Sequence, residues 1–328
     1  MVANKMVKKI LVGIICTTVL LGGCGKAAKG QVTIGISQIA EHPALDASRD
    51  GFIAGLASEG FKDGENVKFD IQNAQGDIAN SQLIAQTFVS QNQDMIFAIG
   101  TPAAQSAANS TKDIPILITA VTDAVQAGLV ASAEKSGTNV AGTSDAVPID
   151  TQLTLMRTLL PNVKKVGILY NTSEINSEIQ IGQVRELAAS HGLEIIAAGV
   201  NNTNDISQTL QSIIGDVDVL YALTDNIIAS AMPLITTEAM AKSIAVIGAE
   251  EAHVAAGALA TEGINYYDLG FQTGLMAAKV LNGEDISQMP VSTLQDKELV
   301  INESAVAKLG ITIPEDIKAR AKMISGGK

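Results

Sequence analysis

The feature that most constrains this chain is a regular alternation of short apolar runs with longer amphipathic stretches, beginning at Gln31. Runs at 32–37, 67–73, 95–99, 114–119 and 140–144 read as strands, and stretches near 45–59, 77–91 and 102–109 read as helices between them. The series then starts again. Strands are expected at 166–170, 194–200, 217–223 and 245–247, with helices at 175–190, 205–214 and 229–241. Apolar strands alternating with amphipathic helices imply parallel sheets covered on both faces. Two such series predict an α/β protein of two doubly wound lobes joined by a hinge.

The expected boundary lies near Asp145 to Pro148, where a strand ends and a proline opens a new helix. After a strand at 258–261, a helix at 267–281 is expected to return to the first lobe. The extended segment 292–301 and the tail are expected in the second, which makes three crossovers. The resulting division is 31–144 with 264–288 for the first lobe and 145–263 with 289–328 for the second. At 328 residues the chain is long enough for two cores, and 47% hydrophobic residues with 29 glycines suit this architecture. A formal net charge of −12 argues against nucleic acid as a partner, because phosphate binding needs a basic surface.

Residues 1–23 read as a signal peptide rather than as part of the fold. Lys5, Lys8 and Lys9 precede an apolar segment from Ile10 to Leu21, too short for a comfortable membrane span. It ends in Leu21-Gly-Gly-Cys24, which resembles the lipobox of bacterial lipoproteins. That resemblance implies cleavage before Cys24 and lipid on its sulfur. Cys16 would leave with the signal, so no disulfide or thiol chemistry is expected in the mature protein. Residues 24–30 read as a tether.

In open α/β sheets, ligands bind beyond the carboxyl ends of the strands. The polar residues of this chain gather at those positions. The first series supplies Ser37, Gln38, Glu41 and His42, then Thr101, then Thr119, Thr122 and Asp123, with Ser144 and Asp145 at the crossover. The second supplies Asn171, Glu174 and Asn176, then Thr224, Asp225 and Asn226, then Glu250 and Glu251. In 97–106, a buried strand ends in Gly100, Thr101 is placed to cap a helix, and Pro102 suits its first position. The free N–H groups of that helix start favour an anion. With no P-loop lysine or glycine fingerprint beside it, a carboxylate or neutral acceptor is expected rather than a nucleotide. Taken singly, Asp123 and Asp225 could equally be helix caps, and Asn171 and Asn176 turn residues.

Catalytic residues are scarce. The three histidines, His42, His191 and His253, form no zinc-binding pair, and there is no nucleophile elbow. Asp216 and Asp218 are too few for a calcium loop. No cofactor or metal is expected, and a binder is favoured over an enzyme.

Several stretches together carry a resemblance to a family. They are Ile36-Ser-Gln-Ile-Ala-Glu-His-Pro-Ala-Leu-Asp46, Gly100-Thr-Pro-Ala-Ala-Gln105, Ala120-Val-Thr-Asp123 and Gly142-Thr-Ser-Asp145 in the first half. Tyr170-Asn-Thr-Ser-Glu-Ile-Asn-Ser177, Thr224-Asp-Asn226 and Gly248-Ala-Glu-Glu251 follow in the second. The chain resembles the solute-binding lipoproteins of ABC importers, in the family that includes the TrpX-type tryptophan- and tyrosine-binding proteins. Where many relatives have proline after the aspartate matching Asp123, this chain has Ala124.

The resemblance implies a type I periplasmic-binding fold, a monomer held outside the cell membrane by lipid, and delivery of a small solute to an ABC permease. An aromatic amino acid is the implied ligand; another polar solute such as a nucleoside or sugar is the alternative, and a hydrolase or sensor ectodomain a more distant one. Aromatic candidates for the cleft are Phe52, Phe97, Tyr170, Tyr221, Tyr266 and Tyr267. For an amino acid, Thr101 and Thr122 are expected to meet the carboxylate, and Asp225, helped by Asp145, the ammonium. Cys24→Ala is expected to move the protein from the membrane fraction to the soluble fraction with its circular dichroism unchanged. A variant that still sediments with membranes after signal cleavage rules out the lipid anchor.

Overall fold

The computed structural model describes residues 30–326. The expected signal peptide and Cys24 lie outside them. Among the described residues, no helix is long and apolar enough to cross a membrane.

The strands are β1 (Val32–Gln38), β2 (Val67–Asn73), β3 (Met95–Ile99), β4 (Ile116–Thr119), β5 (Val140–Ser144), β6 (Lys165–Asn171) and β7 (Glu194–Val200). Then come β8 (Val219–Tyr221), β9 (Ala245–Ile247), β10 (Ala260–Gly263), β11 (Val291–Thr293), β12 (Glu298–Asn302) and β13 (Lys322–Ile324). They form two sheets, ordered β11-β5-β4-β3-β1-β2 and β13-β12-β10-β9-β8-β6-β7. Every pairing is parallel except β10 with β12. Helices cover both sheets, as expected for strands such as β3 and β4 whose residues are all buried.

Two expectations need correction. The extended segment 292–301 is two strands, one in each sheet. β11 pairs with β5, and Val291 with Met289 is buried in the first core. Leu299 and Ile301 on β12 are buried in the second. The third crossover is therefore 294–297, and the first lobe runs on past residue 288 to Thr293. The expected helix 229–241 is also two pieces, Asn226–Ser230 and Met232–Ala241, with Pro233 in the first turn of the second. A proline there lacks the N–H that would continue the preceding turn.

The helix Tyr266–Leu281 does return to the first lobe, where it lies along Pro43–Ser58. Four glycines permit the approach. A Cβ on Gly51 would stand 2.0 Å from the carbonyl oxygen of Tyr267, and one on Gly55 2.3 Å from that of Phe271. From the other side, a Cβ on Gly270 would stand 1.9 Å from the Ser48 carbonyl oxygen, and one on Gly274 2.3 Å from that of Phe52. The Ser48 hydroxyl donates to the Tyr266 carbonyl at 3.1 Å, which fixes the start of the returning helix. Because the obstacles are backbone atoms, no side-chain rotation relieves a larger residue. Gly270→Val should therefore lower the unfolding free energy by about 2–3 kcal/mol or more in urea titration. Gly182→Ala, on an exposed helical face with open space around it, should instead be neutral or raise it by up to about 1 kcal/mol.

Candidate functional site

In the first sheet the strand order reverses at β1/β3, and in the second at β6/β8. Such switch points open a crevice beyond the carboxyl ends of the strands. Here the two crevices face each other. The Thr122 hydroxyl meets that of Thr224 at 3.2 Å, and Asn226 stands against Gly100 at the start of the helix Thr101–Ser110. These contacts close the lobes over a small, nearly filled pocket. Its walls are His42, Leu45, Ala120, Asp145 and Tyr266 from one side, and Thr224, Asp225, Asn226, Ala229 and Glu250 from the other. Ala120 is held at a φ of 53°, a left-handed conformation that costs a non-glycine residue roughly 1 kcal/mol or more.

Two acidic groups dominate the wall nearest the hinge. Asp145 accepts a hydrogen bond from the Tyr266 hydroxyl at 2.8 Å, while its Oδ1 is buried with no partner. Burial raises the Asp145 pKa against the opposing bonds from Tyr266 and Thr122. Glu250 precedes the helix Glu251–Ala255, and its Oε1 is likewise buried and unpartnered. Burial pushes Glu250 up to about 8, opposed by Tyr266 and reinforced by the charge of Asp145. His42 Nδ1 is 3.8 Å and His253 Nε2 3.3 Å from Glu250 Oε1. Burial lowers His42 to about 4 and His253 to about 3. Both rings are thus neutral in this arrangement at physiological pH, and neither supplies a cation.

The second acidic pair is committed to holding the wall of its own lobe. Asp225 caps the helix Asn226–Ser230 through the Ile228 N–H at 3.1 Å. It also accepts the Asn171 N–H at 2.6 Å and the Ser177 hydroxyl at 2.7 Å. Glu174 accepts the side-chain amides of Asn171 at 3.0 Å and Asn176 at 3.1 Å, and that of Asn226. Burial, then the charge of Asp225, pushes Glu174 up to about 7. These carboxylates orient three asparagines, of which Asn226 reaches the cavity.

Of the residues expected at the site, the structure brings Asp145, Thr224, Asp225, Asn226 and Glu250 to the cavity. Thr122, Asn171 and Asn176 stand behind them as described. Ser37 and Thr101 are buried in the first lobe with unpartnered hydroxyls, Thr101 opening its helix while Gly100, at φ 92°, takes the cap position expected for Thr101. Two residues are elsewhere. Gln38 turns back onto its own lobe, donating to the Ala40 carbonyl and Asp46 and accepting from Arg49. Asp123 caps the turn that follows it, accepting from the N–H groups of Val125 and Gln126 and from the Gln126 amide.

The aromatic candidates are also reduced to one. Phe52 and Phe97 stack in the first core with centroids 3.7 Å apart, Tyr221 is buried in the second core, against which Tyr170 packs, and Tyr267 faces solvent. Only Tyr266 lines the cavity. Ser177 carried no sequence signal beyond its type, because its partner Asp225 lies 48 residues along the chain, and His253, although only three residues from Glu250, was not read with it.

Asp225→Asn should cost stability as well as any binding, since an amide nitrogen would face groups that donate to the carboxylate. A loss of about 1–3 kcal/mol in chemical denaturation is expected.

Three comparisons bear on this geometry. The profile of the family described as ABC transporter substrate binding protein matches residues 33–324. A tyrosine-binding protein from Clostridioides difficile is 44% identical over 322 residues, covering 94% of this chain and 93% of that one. The structure of an ABC domain from Streptococcus pneumonia in complex with L-Trp is 36% identical and overlaps with a TM-score of 0.86, covering 90% and 99% of the two chains. A ligand-free, open substrate-binding protein with adhesive properties from Clostridium difficile is more similar in sequence, 48%, yet overlaps less, at 0.68, over 90% and 99%. That contrast agrees with lobes that touch across the cavity here. With two mostly parallel α/β lobes meeting at their switch points and a family profile spanning nearly all described residues, this chain belongs to the ABC transporter substrate-binding proteins.

Proposed function

We propose that the chain is a lipid-anchored, extracytoplasmic binding protein that captures an aromatic amino acid between its lobes and delivers it, chemically unchanged, to an ABC permease. It acts as a monomer tethered through Cys24. The observation that carries this reading is the pair of buried, unpartnered carboxylate oxygens on Asp145 and Glu250. Buried acceptors are normally satisfied, so these two call for a cationic donor such as an ammonium group.

The opposite charge has a counterpart in the start of the helix Thr101–Ser110, whose first N–H groups and buried Thr101 hydroxyl favour a carboxylate. Asp225, expected from sequence to hold the ammonium, has its oxygens already engaged by three donors. Asp145 and Glu250 take that role instead. The tyrosine-binding relative and the L-Trp complex support an aromatic side chain, with Tyr266 as its aromatic neighbour.

Solute released by denaturing the purified protein should be identified by mass spectrometry as an amino acid. In calorimetry, L-tyrosine or L-tryptophan should bind far more tightly than its deaminated analogue, by about 2–5 kcal/mol, or roughly thirtyfold and upward. Equal binding of amine and deaminated analogue, or tight binding of a sugar alone, overturns the reading.

A further inference from the structure

The Asp145–Glu250 pair sits where closing the lobes must bury it. Asp145 lies at the first crossover, just after β5 of the first sheet, and Glu250 follows β9 of the second. In the closed arrangement their residues are 4% and 2% exposed. The titratable groups that face Glu250 come from four segments. The segment before Pro43–Ser58 supplies His42, itself near Asp46; Glu250's own helix supplies His253; the returning helix supplies Tyr266; the crossover supplies Asp145. Among the described residues no lysine or arginine pairs with either carboxylate.

We propose that Asp145 and Glu250 are a charge gate on closure, which shuts only when a cation-bearing ligand or, in its absence, a proton offsets one of the pair's two charges and so removes their mutual repulsion. The physical reason is desolvation. Two carboxylates taken from water into one dry pocket repel each other and lose hydration, and a tyrosine hydroxyl can donate only one proton. At neutral pH the open state keeps both charges in water, so closing without a cation is opposed. An ammonium removes that opposition. The gate thus selects ligands by charge at the closing step. A neutral solute of the same shape can enter the open cleft but cannot close it. The ligand arm of this inference rests on the amino-acid reading above; the proton arm does not.

The sign of the proton effect follows from the shifts. In the closed arrangement burial raises Glu250 from its ordinary 4.5 to about 8, so the closed form binds a proton more tightly than a solvated carboxylate does. Closure without ligand should become easier as pH falls through about 8, by about tenfold per pH unit, until the ordinary carboxylate range near 4.5 is reached. Burial moves His42 the other way, from 6.5 to about 4, so below pH 6.5 closure must expel a proton from it and the gain is offset. Ligand-free closure should therefore rise as pH falls from about 8 to 6.5 and level off below it, where each decade gained at Glu250 is matched by one lost at His42. Glu174, also raised by burial, is the competing source of such a dependence.

The test uses the full chain in detergent, with spin labels at Asn80→Cys and Glu178→Cys, one exposed position on each lobe. Pulsed electron resonance reads the distribution of separations without ligand. From pH 8.5 to 7 the closed-to-open ratio should rise roughly tenfold in the parent. Glu250→Gln should show a raised ratio already at pH 8.5 and lose the dependence above pH 6.5. An invariant parent distribution, or a dependence that survives Glu250→Gln and so belongs to Glu174, overturns the gate. If L-tyrosine fails to close the parent while the proton arm behaves as stated, the amino-acid reading fails and the gate stands. If Glu250→Gln does not fold, Asp145→Asn is the second variant, with the same raised ratio expected and an unchanged one counting against the gate.

Discussion

The site depends on a backbone-to-backbone contact some distance from it. Helices Pro43–Ser58 and Tyr266–Leu281 touch through Gly51, Gly55, Gly270 and Gly274, at separations that leave no space for a Cβ. This contact draws the returning helix onto the first lobe after β10 has completed its part of the second sheet. Two consequences follow. The chain must cross between lobes at 264–265 and again at 294–297, so with 145–148 three strands of backbone form the hinge. The start of the returning helix also lies at the cavity, which delivers the Tyr266 hydroxyl to Asp145. Glycine at these four positions gives up helix propensity of about 1 kcal/mol each relative to alanine, and close packing over two long helices compensates.

Around the cavity, four buried acidic groups divide into two kinds. Asp225 and Glu174 have their oxygens filled by N–H, hydroxyl and amide donors of their own lobe, so they are satisfied whether or not the lobes meet. Asp145 and Glu250 each keep a free oxygen and gain neighbours from the opposite lobe. The first kind is scaffold, orienting Asn171, Asn176 and Asn226. The second kind is reactive to charge. The distinction is one of hydrogen-bond inventory, since residue type and exposure are nearly the same for all four.

Much of the fold was legible before the structure. Strands in parallel sheets are buried on both faces, so their apolar runs stand out, and β1 to β3 fell where the pattern placed them. The short strands β11 and β13 did not, because β11 was merged into one extended run with β12 and β13 lies in a tail whose residues show no apolar run, whereas the equally short β8 and β9 are apolar throughout. The single extended run at 292–301 concealed a change of sheet, since alternation along a strand says nothing about which neighbour it pairs with. Polar residues after the strands were correctly gathered at one edge, but Gln38 and Asp123 share that sequence position and point to other uses.

The sequence by itself determined the parallel α/β character, the two series, the acidic and serine-threonine-asparagine chemistry of the strand ends, and the family. Those follow from local periodicity and residue type. Only the tertiary structure decided which carboxylate is free. Asp225 reads like Asp145 in sequence, yet three donors from positions 171, 177 and 228 engage both its oxygens, while a tyrosine 121 residues away bonds one oxygen of Asp145 and leaves Oδ1 without a partner. Hydrogen-bond capacity is consumed by neighbours in space, and the order of residues along the chain does not record them.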